Sequence, residues 1–502
     1  MTTFTQVPPM RHSTRRDFLR EVSAASLLSL GLSPALARGP WAGPRIRVRG
    51  RVTAAGRPLA GVGVSDGRDV VRTDRDGTYT LLSDARQRWL HLSLPAGFEI
   101  PRQASGTAQL FRALAPDARG EARADWALTP LAAGDGAHAF FLAADPQTQN
   151  RYETDLLHAE TVPALRRALA GLGGVPAFGI GCGDIMYDDL TLYPEYERAV
   201  RAVDLPFFQV VGNHDMDYAA RTDEASTATF EQHFGPAWYS FNRGEVHYVV
   251  LDDVLWHGDG YIGYLPAAQL EWLAADLALV EPGRTVVVAL HIPLASSLPA
   301  RSGDAEGRHT SMVNNREALY RLLEPYRAHV LSGHTHEHEH LFEGGVHEHV
   351  HGTACGAWWS GPICYDGTPG GFGVYEVRGS ELRWRYQPAS DAAGETMRLY
   401  RRGADSSAPD EVVANVWDWD PEWTVVWYED GQPRGRMARR TGLDPLSVEL
   451  HRGPDLPARR KWVEPVPTAH LFYATPGPGA AEYRVEATDR WGRVRTERLA
   501  LR

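Results

Sequence analysis

Apolar positions along the chain fall into three regimes. From about Pro44 to Pro130, short alternating runs such as Arg45-Ile46-Arg47-Val48 and Thr78-Tyr79-Thr80-Leu81 are separated by Gly-Arg-Pro and Asp-Gly turns. Period-two alternation with such turns predicts a small antiparallel sandwich. From Ala137 to about Val377, denser apolar runs alternate with helix-like segments. The runs are 140–144, 177–181, 207–211, 248–251, 286–290 and 328–331, and the segments 155–172 and 190–202 carry helical periodicity. That alternation predicts a layered α/β domain. Beyond Glu381 the chain is again β-like, with Pro and Gly turns and Trp384, Trp417, Trp419, Trp423 and Trp427. Those indoles suit core and interdomain packing; a sugar- or lipid-binding surface is the alternative. The expected divisions are 1–37, 38–132, 133–380 and 381–502.

The first segment does not belong to the fold. Arg15-Arg16-Asp17-Phe18-Leu19 precedes a modest apolar stretch from Val22 to Leu32 and the small-residue sequence Ala35-Leu36-Ala37. In that order these features read as a twin-arginine export signal with a cleavage site. The stretch is too short for a membrane span of about 20 residues. A periplasmic or secreted protein is expected, exported already folded.

Composition narrows the function classes. The 502 residues carry 52 Lys and Arg against 63 Asp and Glu, a formal net charge of −11. General nucleic-acid binding needs a basic footprint that this balance lacks. Cys182, Cys355 and Cys364 cannot build a disulfide framework. Cys355 and Cys364 could bridge, or all three could be small buried thiols. Nothing in the sequence demands a protein partner.

Candidate chemistry lies just after the apolar runs of the middle domain. The first is followed by Asp145-Pro146-Gln147 and the second by Gly183-Asp184. The third leads into Gly212-Asn213-His214-Asp215, the fifth into His291, and the sixth into Gly333-His334-Thr335-His336. Carboxylate, amide and imidazole groups on turns at strand ends are the mixed O and N donors that divalent metals take. Ligands of open α/β sheets gather at those ends. One His after a strand is weak evidence; five such pieces in sequence are strong.

This series resembles the motifs of the calcineurin-like metallophosphoesterases over roughly 240 residues. The flanking β domains are similar to those of a secreted bacterial branch, and the first to carboxypeptidase-regulatory-like modules. The resemblance implies a metallophosphoesterase β-sandwich core flanked by helices, between small all-β domains. It implies two divalent ions (Fe, Mn, Zn or Mg) bridged by Asp184. Asp145 and His336 complete one site; Asn213, His291 and His334 complete the other. His214 is implied to lie over the substrate phosphate, oriented by Asp215. A metal-bridging hydroxide is implied as nucleophile. Gln147 stands where most of the family has His. It can ligate through its amide oxygen or sit behind the ligands, and a weakened first site is the alternative.

Weaker candidates surround this set. His338, His340, His347, His349 and His351 alternate along strand-like segments, so some share a face. They could line the pocket, bind metal adventitiously or form a polar strand face. Trp358 and Trp359, in a Gly-broken loop, could wall the substrate together with Tyr187 and His351, with Asp188 and His233 at the rim. Hydrolysis of a phosphate ester, diester ahead of monoester, is the leading expectation. A non-hydrolytic surface protein with a degenerate metal site is the alternative, and the acidic balance disfavours a nuclease.

Overall fold

In the computed structural model, residues 44–304, 307–390 and 396–501 are described. The expected export signal lies outside them. Among the described residues no helix is long and apolar enough to cross a membrane.

The central domain is a sandwich of two mixed sheets. We label its strands β1 (Ala137–Ala143), β2 (Ala177–Cys182), β3 (Phe207–Val210), β4 (Tyr239–Arg243), β5 (Val246–Val250), β6 (Thr285–Ala289), β7 (Arg327–Ser332), β8 (Glu339–Glu343), β9 (Val346–Val350), β10 (Gly371–Arg378) and β11 (Glu381–Pro388). The first sheet runs β3-β2-β1-β10-β11 and the second β4-β5-β6-β7-β9-β8. β1, β2 and β3 are mutually parallel, as are β5, β6, β7 and β9. Each parallel set therefore delivers its strand ends to one edge.

Strand alternation sorts the apolar side chains. Phe140 and Leu142 face the interior between the sheets, where Phe178, Phe208, Phe241, Tyr248 and Tyr375 meet them. Phe140 stacks on Tyr375 with centroids 4.4 Å apart, and Phe208 on Phe241 at 3.8 Å. Phe141 and Ala143 face the other way, toward the helices. The first helical pattern spans Arg151–Leu156 and Val162–Gly171, joined by a π-turn. The second is Tyr193–Val203, entered through a short 3-10 turn.

The N-terminal strands form two small sheets around Val48, Val64, Leu81 and Leu92, a core continuous with the sandwich interior. The C-terminal unit is a sandwich of two four-stranded sheets packed around Val412, Trp423, Trp427 and Val485. Trp384, Trp417, Trp423 and Trp427 are all buried, so these indoles pack. The expected division after residue 380 falls inside a hairpin. β11 pairs with β10 from Gly371↔Pro388 to Arg378↔Glu381, so it closes the first catalytic sheet and the C-terminal unit starts beyond it. The three cysteines are buried free thiols.

Candidate metal centre and its roof

All five polar turns leave strand ends on one edge of the sandwich, and their side chains converge. His291 Nε2 lies 3.2 Å from Asp184 Oδ1 and 3.2 Å from Asn213 Oδ1. His336 Nε2 lies 3.5 Å from Asp145 Oδ1, and Gln147 Nε2 donates to Asp184 Oδ2 at 2.9 Å. Ligand atoms of Asp184, His291 and His334 all fall within 4.8 Å of one another.

The turns are shaped for this approach. Asp145, Gln147, Asp184, Asp188, His334 and His336 all have left-handed φ between 41° and 68°. Such conformations cost about 1–3 kcal/mol each and persist where surrounding structure enforces them, typically at functional sites. Glycines make room. A Cβ on Gly183 would stand 2.2 Å from His291 Nδ1, and one on Gly333 2.3 Å from Asp145 Oδ2.

Each imidazole has one nitrogen committed to a backbone carbonyl. His291 Nδ1 donates to Cys182 (3.1 Å), His336 Nδ1 to Gly356 (2.8 Å) and His334 Nε2 to Thr310 (3.0 Å). In the neutral ring the other nitrogen of each then holds a lone pair, the arrangement that orients a metal-binding imidazole. His334 Nδ1 is buried without any hydrogen-bond partner. A buried orphan beside two carboxylates and an amide oxygen fits a divalent cation. Asp184 can bridge, since Gln147 meets its Oδ2 and His291 its Oδ1, with His336 beside Asp145 and Asn213 beside His291.

Electrostatics follow from burial and crowding. Burial pushes Asp145 up to about 8, opposed by His291. Asp184 is equally buried, yet His291 and His214 hold it below the usual carboxylate range. Burial would lower His291, but Asp184 drives it up to about 10, while burial and His291 push His334 down to about 3. Cations in the cage would replace these imidazolium charges as partners of the carboxylates.

His214 stands apart from the ligands. Its Nδ1 meets Asp188 Oδ1 at 2.6 Å, and its ring stacks on Tyr187 at 4.4 Å. The expected orientation by Asp215 is corrected. Asp215 is fully buried and accepts backbone N–H bonds from Ile185 (3.0 Å), Met186 (3.1 Å) and Gly212 (2.9 Å), tying the second and third turns together. Its short side chain is fully engaged beneath the turn and makes no bond to the His214 ring. Asp253, which sequence reasoning missed, acts likewise on the fifth turn through the N–H groups of His291 and Ile292.

Other expected residues divide. Trp358 stacks on His336 with centroids 4.0 Å apart, and Tyr187 on His214, so both flank the cage. Trp359 instead points into the core and donates from its indole to the Pro146 carbonyl at 3.0 Å. His351 is buried against Tyr375, whose hydroxyl lies 2.6 Å from its Nε2, so it does not line a substrate wall. His233 pairs with Glu197 at 3.1 Å on the helix side rather than at the rim.

The missing part of the site comes from the C-terminal unit. The Arg460 guanidinium lies 4.6 Å over Tyr187 and forms an ion pair with buried Glu153 at 3.2 Å. Trp462 is 54% exposed and packs on Trp358 at 4.8 Å. The His214–Tyr187–Arg460 stack and the row His336–Trp358–Trp462, whose two indoles are tilted by 57°, thus flank the cage, and their outer members share one loop. The basic run Arg459-Arg460-Lys461 was the available sequence signal.

Comparisons agree with this architecture. Three family models match in tandem: the N terminal of calcineurin-like phosphoesterase over residues 46–131, calcineurin-like phosphoesterase over 157–338, and the C terminal of calcineurin-like phosphoesterase over 348–494. The chain is a calcineurin-like metallophosphoesterase with N- and C-terminal accessory domains. It is 33% identical over 147 residues to purple acid phosphatase 15 of Arabidopsis thaliana, covering 27% of this chain and 25% of that one. It is 27% identical over 181 residues to serine/threonine-protein phosphatase CPPED1 of Mus musculus, covering 34% and 56%. The match thus spans little more than half, at most, of these relatives' lengths. Purple acid phosphatase PPD1 from yellow lupin (Lupinus luteus) aligns at 13% identity with a TM-score of 0.38, over 66% of this chain and 68% of that one.

Proposed function

We propose that this chain hydrolyses phosphate esters outside the cytoplasm, with phosphodiesters preferred over monoesters. The observation that carries this reading is the cage itself: Asp145, Gln147, Asp184, Asn213, His291, His334 and His336 converge, with lone pairs set by backbone bonds, beside a His that is not among the ligands. When bound, two divalent ions (Fe, Mn, Zn or Mg) would supply Lewis acidity and positive charge toward a phosphate.

The chain's own residues supply the rest. With Nδ1 held by Asp188, His214 has Nε2 left to donate a proton to the departing alkoxide. Asp184 and Asp188 raise His214 against the effect of burial, which favours the protonated form needed for that task. Tyr187 fixes the ring plane. Arg460 has further N–H donors beyond those meeting Glu153 and can bind a phosphoryl oxygen. Trp358 and Trp462 offer planar apolar surface to an organic substituent, which supports the preference for diesters. Export is supported by the Arg15-Arg16 motif and the apolar run behind it.

The test uses protein reloaded with each metal and assayed on aryl phosphate monoesters and diesters, with a chelator control and His214→Ala as the blank. Hydrolysis that vanishes with chelator and falls in the variant supports the proposal. A fully loaded protein inert on every ester would leave the alternative, a non-hydrolytic surface protein.

A further inference from the structure

Away from the cage, the space between the sheets changes chemistry. Where β1 faces β5 and β6 it is filled by aromatic and aliphatic side chains. Where β7 and β9 face β10 and β11, the second sheet presents imidazoles instead. His329 on β7 is register partner to His347 on β9, and Leu331 to His349, so the three imidazoles share a face. They meet Tyr375 and Trp384 from the first sheet, with His349 and Trp384 centroids 4.6 Å apart. Apolar side chains would fill this layer without leaving polar atoms to satisfy.

Two neighbouring groups here differ in how their nitrogens are used. The Gly352 N–H donates to His338 Nδ1 at 3.2 Å, so His338 Nε2 carries the proton that meets Asp418 Oδ1, also at 3.2 Å. His340 Nε2 reaches the same oxygen at 3.1 Å. Those hydrogen bonds account for that group. The other group is accounted for only in part. His347 commits Nε2 to His340 Nδ1 at 3.1 Å, which leaves His347 Nδ1 buried without a partner. His349 Nδ1 is a second orphan, on a residue with no exposed surface. His329 Nδ1 and His349 Nε2 lie 3.1 Å apart, a hydrogen bond in the metal-free pair that an ion between them would replace. Two nitrogens on one tetrahedral zinc ion are separated by about 3.3 Å. Ligand atoms of His329, His347 and His349 all lie within 4.8 Å of one another.

We propose that His329, His347 and His349 form a further metal site, separate from the phosphoesterase cage, for a borderline divalent ion such as Zn²⁺. Imidazole is the donor that Zn²⁺, Cu²⁺ and Ni²⁺ take readily, and three neutral imidazoles leave a coordination position open. Burial holds His329 and His349 below the ordinary imidazole range, so their lone pairs are available. The row Asp418–His340–His347 is the carboxylate-to-imidazole support that orients a metal-bound His. Asp418 belongs to the C-terminal unit, so the ion would couple this end of the sandwich to that domain. Arg490, which lies over Phe342 and Trp384 beside the group, is neutralised by Asp420 at 2.8 Å and Glu422 at 3.2 Å. His340 is here a positioning residue.

The test strips the full chain with chelator, reloads it with Zn²⁺ alone, desalts it and counts zinc per chain. His349→Gln should retain one equivalent fewer than the unaltered protein while keeping hydrolysis of aryl phosphates. Asp184→Asn should lose zinc from the other centre, keep this equivalent, and still be stabilised thermally by added Zn²⁺. That thermal response should disappear when His349→Gln is added. His340→Ala should weaken retention by about 10–100-fold. Equal zinc content in folded His349→Gln and unaltered protein would overturn the site. Where His349→Gln does not fold, His329→Gln, altered at a half-buried position, carries the same comparison. Failure of the phosphoesterase reading would appear separately, as an Asp184→Asn count equal to that of the unaltered protein.

Discussion

Asp188 Oδ1 stands 2.6 Å from His214 Nδ1, and the same oxygen accepts the Tyr218 hydroxyl. The residue that orients the candidate acid is therefore the one following Tyr187, not the one following His214. His214→Ala should lower kcat about 10²–10⁴-fold, the span of general acid catalysis. Asp188→Asn preserves shape but loses the charge, and should lower kcat by a smaller factor with KM little changed. Asp215→Asn should act through folding instead, reading out as a lower melting temperature. Steady-state kinetics and thermal melts on the three variants separate these roles.

Arg460 should act on binding rather than on the chemical step. A charge-assisted hydrogen bond contributes about 1.5–3 kcal/mol, so Arg460→Lys, which keeps a cation beside Glu153, should raise KM by about 10-fold or more and leave kcat nearly unchanged. Equal losses in kcat and kcat/KM would show that Arg460 works only in the transition state.

Gln147 Nε2 donates to Asp184 Oδ2, and its Oε1 lies 3.9 Å from Cys355 Sγ. Its amide is a weaker donor to a metal than imidazole. Gln147→His should therefore strengthen retention of the Asp145–His336 ion by about tenfold. Dialysis against graded chelator followed by metal analysis checks this, and unchanged retention would mean Gln147 does not contact the ion.

Stability should fall in mild acid. His138 sits between the sheets with Nδ1 2.9 Å from the Asp135 carbonyl and Nε2 2.6 Å from the Tyr248 hydroxyl, and burial pushes it down to about 4. An unfolded His titrates near 6.5, so the folded state resists protonation. The stabilisation is complete above pH 6.5 and declines as pH falls from 6.5 toward 4, by about 2 kcal/mol at pH 5. Denaturant titrations at pH 7 and 5 should show this loss, and His138→Asn should show a smaller difference between the two.

The five metal-facing turns were legible because each is local: an apolar run, in three cases a glycine (Gly183, Gly212 and Gly333), then a donor. The tandem of β, α/β and β regions was legible for the same reason, since period and turn residues change along the chain. What escaped depends on contacts distant in sequence. The charged hairpin Arg378-Gly379-Ser380-Glu381 reads as a domain break, yet register pairing makes it an internal turn of the first sheet. Asp215 adjoins His214 in sequence, but its carboxylate points back into the turn. Trp359 follows Trp358, and successive left-handed residues send one ring to His336 and the other into the core. Arg460 and Trp462 carry no local pattern that separates a roof from any exposed basic loop.

That roof and the floor beneath it belong to different sandwiches. The ion-binding turns are held by buried carboxylates and strained backbone, where almost any change is costly. In the loop at 459–462 only Arg460 is held this way, by a left-handed φ and the ion pair to Glu153, so the other positions can vary while the turns stay put. Exchanging the C-terminal module between two chains of this architecture should then transfer the choice of leaving group from one parent while turnover follows the other. Selectivity in such enzymes would be inherited as a detachable part.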